Sequence, residues 1–347
     1  MKVLVAGDRF IPGGTFAEEI EARLPGTPVT VADWAGEKAT QHEAQQRMEV
    51  HGAAAVPAPP ELLAAVPGAE VLCVHFAPVG PDLLAAADGL RLVAVARTGL
   101  ENVDLDAASA RGIGVVPVFG RNASAVAELQ IGLILAESRN IARADASVKN
   151  GGWRKEFPGR RVELGGSTVG MIGFGQVGRH FARKLSGFGC TLLAYDPYAP
   201  DEALAESGVR RASTVDDLLP GADFVVVQAR HSAETDRFIG ARELALLKPG
   251  AYFVNVARSR VVDTAALYTA LAEGRIAGAG LDVFDEEPLA EDSPWRRLDN
   301  VTLTTHFGGD TEQTNRTSAA LVAEAVAEFT ETGRVRTAAN AALLGWS

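Results

Sequence analysis

Three charged side chains stand at the ends of short apolar runs in the second half of the sequence. Arg258 follows VNVA, Glu287 lies in DVFDEEP, and His306 follows LTT. An arginine offers a planar fork of donors that grips a carboxylate and polarises a neighbouring carbonyl. A histidine titrates near neutral pH and can pass a proton to a developing alkoxide. A carboxylate beside it holds the ring in one tautomer and favours its charged form. These are the three demands of reducing a 2-keto acid, with Arg258, His306 and Glu287 in the respective roles.

The remaining demand is a hydride carrier. Gly173-Phe174-Gly175-Gln176-Val177-Gly178 follows the strand-like run 168–172 and opens a helix reaching about Phe188. Alone, G-x-G-x-x-G is weak in a chain with 36 glycines, but this one sits between strand and helix. A second strand then ends in Asp196, 18 residues beyond Gly178. Gly173 permits the tight turn, Gly175 lets a pyrophosphate approach the backbone, and Gly178 lets the helix pack on the strand. Asp196 is suited to the adenosine ribose hydroxyls and repels a 2′-phosphate. Pro197-Tyr198 brings no arginine to bind one, so the expected cofactor is NAD.

The elements that must place these groups alternate as short β-branched runs and Ala/Leu-rich stretches, the rhythm of an α/β protein. Strands are expected at 2–6, 28–32, 70–76, 91–96 and 113–118, and a second series at 168–172, 191–195, 222–227, 251–256, 277–281 and 301–304. Between the series, Asn122 and Ser124 are candidate caps of one long helix buried between domains or subunits. Further helices are expected at 264–273, capped by Asp263 or Thr264, and at 313–332, ending at Gly333. The Ala/Pro-rich stretch 52–60 reads as a surface loop. Because the dinucleotide unit starts in mid-chain, the economical division has a substrate domain of 1–120 with 308–347. The nucleotide domain, 121–307, is inserted into it.

Composition narrows the function classes. At 347 residues two domains are the natural prior, and 47% hydrophobic with 22% charged residues is globular rather than disordered. A net charge of −11 argues against nucleic acid or an anionic membrane as the main partner. No apolar run is long enough to span a bilayer, and MKVLVAGD is too brief for a signal peptide. Cys73 and Cys190 read as small buried hydrophobes. The expected location is the cytoplasm, with no metal site.

Several longer segments, RTGLENVDLDAASARGI, NASAVAE and GRIAGAGLDVFDEEP, accompany the fingerprint from about Ala94 to Gly309. In these the sequence resembles the D-isomer-specific 2-hydroxyacid dehydrogenase family. The resemblance implies a Rossmann-type doubly wound parallel sheet inserted into a smaller flavodoxin-like α/β substrate domain. It also implies a homodimer joined through the helix after Asn122. Arg258, rather than nearby Arg260, corresponds to the family's substrate-binding arginine in the pattern N-x-A-R, and Glu287 and His306 to its acid–base pair. Asp282 would contact the nicotinamide carboxamide, and Thr98-Gly99-Leu100 would offer backbone N–H groups to the substrate carboxylate. Gln176, Val177, Ala229, Val256, Ala257, His306 and Gly309 complete the expected cofactor contacts.

The chain departs from the family in places. Thr305 stands where a proline is common, Ser259-Arg260 replaces a glycine after the arginine, and Gln228 and Arg230 replace a histidine or cysteine and a proline. Arg230 either reaches a substrate tail or the pyrophosphate, or is a plain surface arginine. His75, ending a strand of the first domain, either lines the substrate side or is structural. Trp153, Arg154 and Lys155 suit subunit packing. His42, His51, His180 and His231 have no ligand spacing. Two other functions share the scaffold: oxidation of another small anion such as phosphite or formate, and an NAD-sensing corepressor.

Overall fold

The computed structural model describes residues 1–157 and 160–346. The chain divides into two compact units, Met1–Arg121 with the segment from Thr311 onward, and Asn122–Asp310. The first unit carries a parallel sheet of β1 (Val3–Ala6), β2 (Val29–Val31), β3 (Val71–Val74), β4 (Leu92–Val95) and β5 (Gly114–Pro117), in the order β2-β1-β3-β4-β5. β1, β3, β4 and β5 read as continuous apolar runs because both faces are covered, whereas the edge strand β2 is largely exposed. Val3, Val5, Cys73 and Leu92 meet Phe16 and Ile20 of the helix Gly13–Arg23, and Val322, Val326 and Phe329 of the helix Glu312–Thr332. On the opposite face Leu4, Leu72, Val74 and Val93 pack on Leu62, Leu83 and Ala108. The last helix is capped by the Thr311 side chain, which accepts from the Thr314 N–H, and stops at Gly333 with φ 73°.

The second unit carries seven parallel strands: β6 (Thr168–Ile172), β7 (Thr191–Tyr195), β8 (Arg210–Arg211), β9 (Phe224–Val227), β10 (Tyr252–Asn255), β11 (Gly278–Leu281) and β12 (Val301–Leu303). Their order is β12-β11-β10-β9-β6-β7-β8. Val169, Met171, Phe224, Val226 and Val254 face Leu133, Ile134, Phe181 and Leu185. Val225, Val227 and Phe253 face Leu218, Leu244, Leu267 and Leu271. Strand order reverses beside β6, and the carboxyl ends next to such a reversal are where ligands bind in open α/β sheets.

Several expectations are corrected. The second series has seven strands, not six: the pair Arg210–Arg211 lacks any apolar run to announce it, yet pairs with β7. The single long helix is two, Ala123–Ser138 and Ile141–Lys149, broken at Asn140 in the left-handed region, φ 57°. Arg143 turns back across the break to the buried Glu137 carboxylate, 2.7 Å away, and to Asn140 Oδ1, 3.1 Å away. Asn122 holds the cap position without a side-chain cap bond, and Ser124 lies within the helix. The stretch 52–60 is a surface segment with one short turn at Ala53–Ala55, anchored by the buried Ala53, Val56 and Ala58. Cys73 is fully buried, and desolvation pushes its thiol up to about 12, whereas Cys190 is only partly covered. Among the described residues no helix is long and apolar enough to cross a membrane.

Candidate active site

The fingerprint links β6 to the helix Gln176–Leu185. Gly173 takes φ 98°, and a Cβ there would meet the Ala229 backbone nitrogen at 2.7 Å. A Cβ on Gly178 would meet Gln228 Oε1 at 2.8 Å and the Phe174 ring at 3.0 Å. Gly175 differs: a Cβ there has nothing within 4 Å. Gly173 is thus required by backbone conformation and packing, Gly178 is closely packed, and Gly175 borders open space at a helix N-terminus with no acidic residue in its first turn. That cradle fits the pyrophosphate of a dinucleotide.

Asp196 lies just after β7. Its Oδ2 accepts from the Phe174 N–H at 2.7 Å, and its Oδ1 from the Tyr198 and Ala199 N–H groups at 2.8 and 3.1 Å. The carboxylate therefore ties the fingerprint loop to the loop expected to hold the ribose. Sequence reasoning missed Arg211 on the short β8. Its guanidinium donates to the Asp196 and Ala199 carbonyls at 2.8 and 2.5 Å and pairs with Asp201. An arginine does stand here, but its donors are engaged in fixing the loop.

The catalytic candidates converge within the second unit. Arg258 is exposed and extended just beyond β10, with Nη1 donating to the Ala257 carbonyl at 2.7 Å. Buried Asn255 fixes that backbone from both sides. Its Nδ2 donates to the Arg258 carbonyl and its Oδ1 accepts from the Ala257 N–H, each at 3.0 Å. Arg260 is paired with Asp236 at 2.9 Å, which also binds His231 at 2.8 Å. The two arginines are thereby distinguished.

His306 Nδ1 lies 2.7 Å from Glu287 Oε2, while Glu287 Oε1 accepts from the Phe284 N–H at 2.9 Å. The Glu287 hydrogen bond, with its charge, raises the histidine pKa above the usual imidazole value despite burial and the Arg258 charge. Burial pushes the Glu287 carboxyl up, but the His306 and Phe284 hydrogen bonds and the charges of His306 and Arg258 hold it below its ordinary value. The pairing favours an ionised carboxylate and a protonated ring, and the Glu287 contact at Nδ1 leaves Nε2 outside the pair.

His306 sits at φ 55°, a region side-chain-bearing residues seldom occupy. Asp282, 1% exposed at the end of β11, imposes that turn. Its Oδ1 accepts from Thr304 Oγ1 at 2.6 Å and the Phe307 N–H at 3.2 Å, and its Oδ2 from the Gly308 N–H at 3.0 Å. Gly309 follows against Asn122, whose Nδ2 a Cβ would meet at 2.5 Å. Arg230 is exposed after β9, its carbonyl accepting from Thr235 Oγ1. Gln228 Nε2 donates to buried Gln130 Oε1 at 2.8 Å. Ala229, Val256 and Ala257 stand beyond the carboxyl ends of β9 and β10. A cavity of about 330 Å³ bounded by Asn255, Phe284 and Trp295 excludes all three catalytic candidates.

The first unit holds the other candidates. Thr98 Oγ1 donates to the Val118 carbonyl at 2.9 Å. A Cβ on Gly99 would meet the Glu101 carboxylate at 2.3 Å, the end of a flexible side chain that can turn aside. His75 is buried just after β3, with Nδ1 3.0 Å from Asp8 Oδ2, a partner the sequence did not announce. Buried Asn102 donates to the His75 and Ala77 carbonyls at 3.3 and 3.0 Å. Among the described residues no group of three or more His, Cys, Asp or Glu is placed to hold a metal ion.

Residues 131–308 match the family model described as "D-isomer specific 2-hydroxyacid dehydrogenase, NAD binding domain". The chain is 40% identical over 268 residues to D-3-phosphoglycerate dehydrogenase of Methanocaldococcus jannaschii, covering 77% of this chain and 51% of that protein. It thus spans about half the length of that relative. It is 38% identical over 246 residues to glyoxylate reductase of Thermococcus litoralis, covering 69% of this chain and 74% of that enzyme. In structure it is similar to D-lactate dehydrogenase of Escherichia coli, with TM-score 0.68 and 26% identity over 96% of this chain and 98% of that one. Fingerprint, His306–Glu287 pair and matches agree: the chain belongs to the D-isomer specific 2-hydroxyacid dehydrogenase family, and residues 131–308 match its NAD-binding domain.

Proposed function

We propose that the protein is an NAD-dependent oxidoreductase moving a hydride between NAD(H) and a small D-2-hydroxy acid or the matching 2-keto acid. The 2.7 Å pairing of His306 with Glu287, within the electrostatic reach of Arg258, carries this reading. Arg258 binds the substrate carboxylate and polarises the carbonyl. His306 gives its Nε2 proton to the forming alkoxide, and in the oxidative direction takes it back. Glu287 holds the tautomer and the charge. The nicotinamide, when bound, supplies or accepts the hydride.

Gly173, Gly175 and Gly178, with Gln176 and Val177, cradle the pyrophosphate, and Asp196 takes the adenosine ribose. Ala229, Val256, Ala257 and Gly309 line the remaining cofactor path, with Asp282 at the carboxamide. Thr98, Gly99, Leu100 and His75 bind substrate, and Arg230 reaches its tail. The domain of 1–120 with 308–347 is the substrate domain.

We place the enzyme in the cytoplasm, where unpaired Cys73 and Cys190 stay reduced. We assign it as a homodimer joined through the region after Asn122. The helix Ile141–Lys149 buries none of its residues, and Ile141, Val148 and Trp153 are exposed. Removal of the proton donor tests the catalytic assignment. His306→Ala lowers kcat about 10²–10⁴-fold while NADH still binds. Near-normal turnover in that variant contradicts it.

A further inference from the structure

Strands β1 and β3 are neighbours in the first unit's sheet, and its strand order reverses at β1. Asp8 and His75 follow their carboxyl ends. Asp8 is surrounded by donors: Oδ1 accepts from the Phe10 and Ile11 N–H groups, both at 2.9 Å, and Oδ2 from the Phe76 N–H at 3.0 Å. The fourth contact is His75 Nδ1, also at 3.0 Å. Burial pushes the Asp8 carboxyl up, but the His75 contact and the Ile11 and Phe10 N–H groups hold it below its ordinary value, so Nδ1 presents its hydrogen, since a lone pair there would face a negative oxygen.

The proton on Nδ1 leaves Nε2 as a bare acceptor. That atom is buried and has no hydrogen-bond partner. Buried polar atoms are nearly always paired, and an exception calls for a ligand or a water. The ring is 2% exposed and clamped by the Phe76 ring, centroids 3.8 Å apart, with Phe10 edge-on at 6.1 Å. Asn102 bolts the His75 backbone to the loop after β4. The acceptor is thus held in place before any ligand arrives.

The charges acting on the ring are Asp8 and the guanidinium groups of Arg97 and Arg121. Burial pushes the imidazole pKa down against the pull of Asp8, and the two arginines push the same way, so the ring is neutral.

We infer that His75 Nε2 is the acceptor for a hydroxyl group on the substrate, which makes the substrate a 2-keto or 2-hydroxy acid bearing a further hydroxyl. This rests on the reading that the chain turns over such acids. A lone pair at Nε2 attracts a hydroxyl hydrogen and repels a carboxylate or phosphate oxygen. Asp8 is the positioning residue, fixing which ring nitrogen carries the proton. Sites built to bind a substrate hydroxyl discriminate strongly against analogues lacking it, because the buried partner is then stranded.

The test uses the full chain with NADH and matched substrate pairs, hydroxypyruvate against 3-fluoropyruvate and 4-hydroxy-2-ketobutyrate against 2-ketobutyrate. At least one hydroxylated member should exceed its partner in kcat/KM by about tenfold or more. In His75→Leu that ratio should collapse toward one. Histidine ¹⁵N spectra of the unmutated protein, which do not depend on the variant folding, should show Nδ1 protonated and Nε2 bare. Nε2 should shift when the preferred hydroxylated acid binds. Equal kcat/KM within both pairs, or a proton on Nε2, overturns the inference and leaves the dehydrogenase reading standing. Absence of turnover on every 2-keto acid overturns that reading and this inference with it.

Discussion

The proton donor is defined by its neighbours. His306 is held protonated above the usual imidazole range by Glu287, so the reductive kcat/KM should persist above pH 6.5 and fall only as pH rises through the raised pKa. Glu287→Gln removes the charge that raises it. The alkaline limb of the reductive profile should then move to lower pH, with NADH affinity little changed. An unmoved limb in a pH–rate measurement refutes the role of Glu287. Asp196→Ala should lower the kcat/KM preference for NADH over NADPH about tenfold or more, worth roughly 1.4 kcal/mol. An unchanged ratio shows that Asp196 does not select the cofactor. Arg258, Glu287 and His306 could be proposed from the sequence because each stands in a motif near a strand end, and the pairing of His306 with Glu287 supports that reading. Asn255, Asp282 as the staple of the 304–308 turn, and Asp8 could not. Their roles consist of which backbone groups they meet, and sequence spacing does not reveal that.

Among the elements, the glycine loop separates folding from binding. Gly175 borders open space and its φ of −88° suits any residue, so Gly175→Ala should leave the melting temperature close to that of the unmodified protein. Its methyl group would occupy the space assigned to the pyrophosphate, so NADH affinity should fall. Calorimetric titration checks this, and unchanged affinity removes the pyrophosphate from that cradle. The break at Asn140 is held by Glu137 and Arg143, an ion pair in which both side chains are nearly inaccessible. Glu137→Ala strands the guanidinium and should cost about 3–5 kcal/mol in denaturant unfolding. The sequence pattern predicts one continuous helix here because nothing local, neither glycine nor proline, marks the stop. The cause is a reach-back from Arg143 together with Thr302 Oγ1 donating to Glu137 from β12. The other strands were readable from their short β-branched runs, whereas β8, two arginines long, exists only through its pairing with β7.

At the scale of the whole molecule, both termini build one unit. Its core needs Phe329, 3% exposed, from a helix more than 300 residues away from the β1 strand it helps to cover. Phe329→Ala should therefore destabilise that unit by about 3–5 kcal/mol, read by denaturant unfolding. A cost below 1 kcal/mol would mean that the C-terminal helix is not integral to that core. From the mid-chain position of the fingerprint the sequence suggests a nucleotide unit of 121–307 flanked by two segments of one domain; the compact units are Asn122–Asp310 and Met1–Arg121 with the segment from Thr311 onward. The central claim is the reaction. Its most direct test is NADH oxidation by the purified protein against glyoxylate, hydroxypyruvate, phosphohydroxypyruvate, pyruvate and sugar-derived 2-keto acids, with NADPH and His306→Ala as controls. The account predicts turnover of at least one acid with NADH, weaker turnover with NADPH, and loss of most turnover in the variant. NADH binding without oxidation by any acid, or full turnover in His306→Ala, would contradict it.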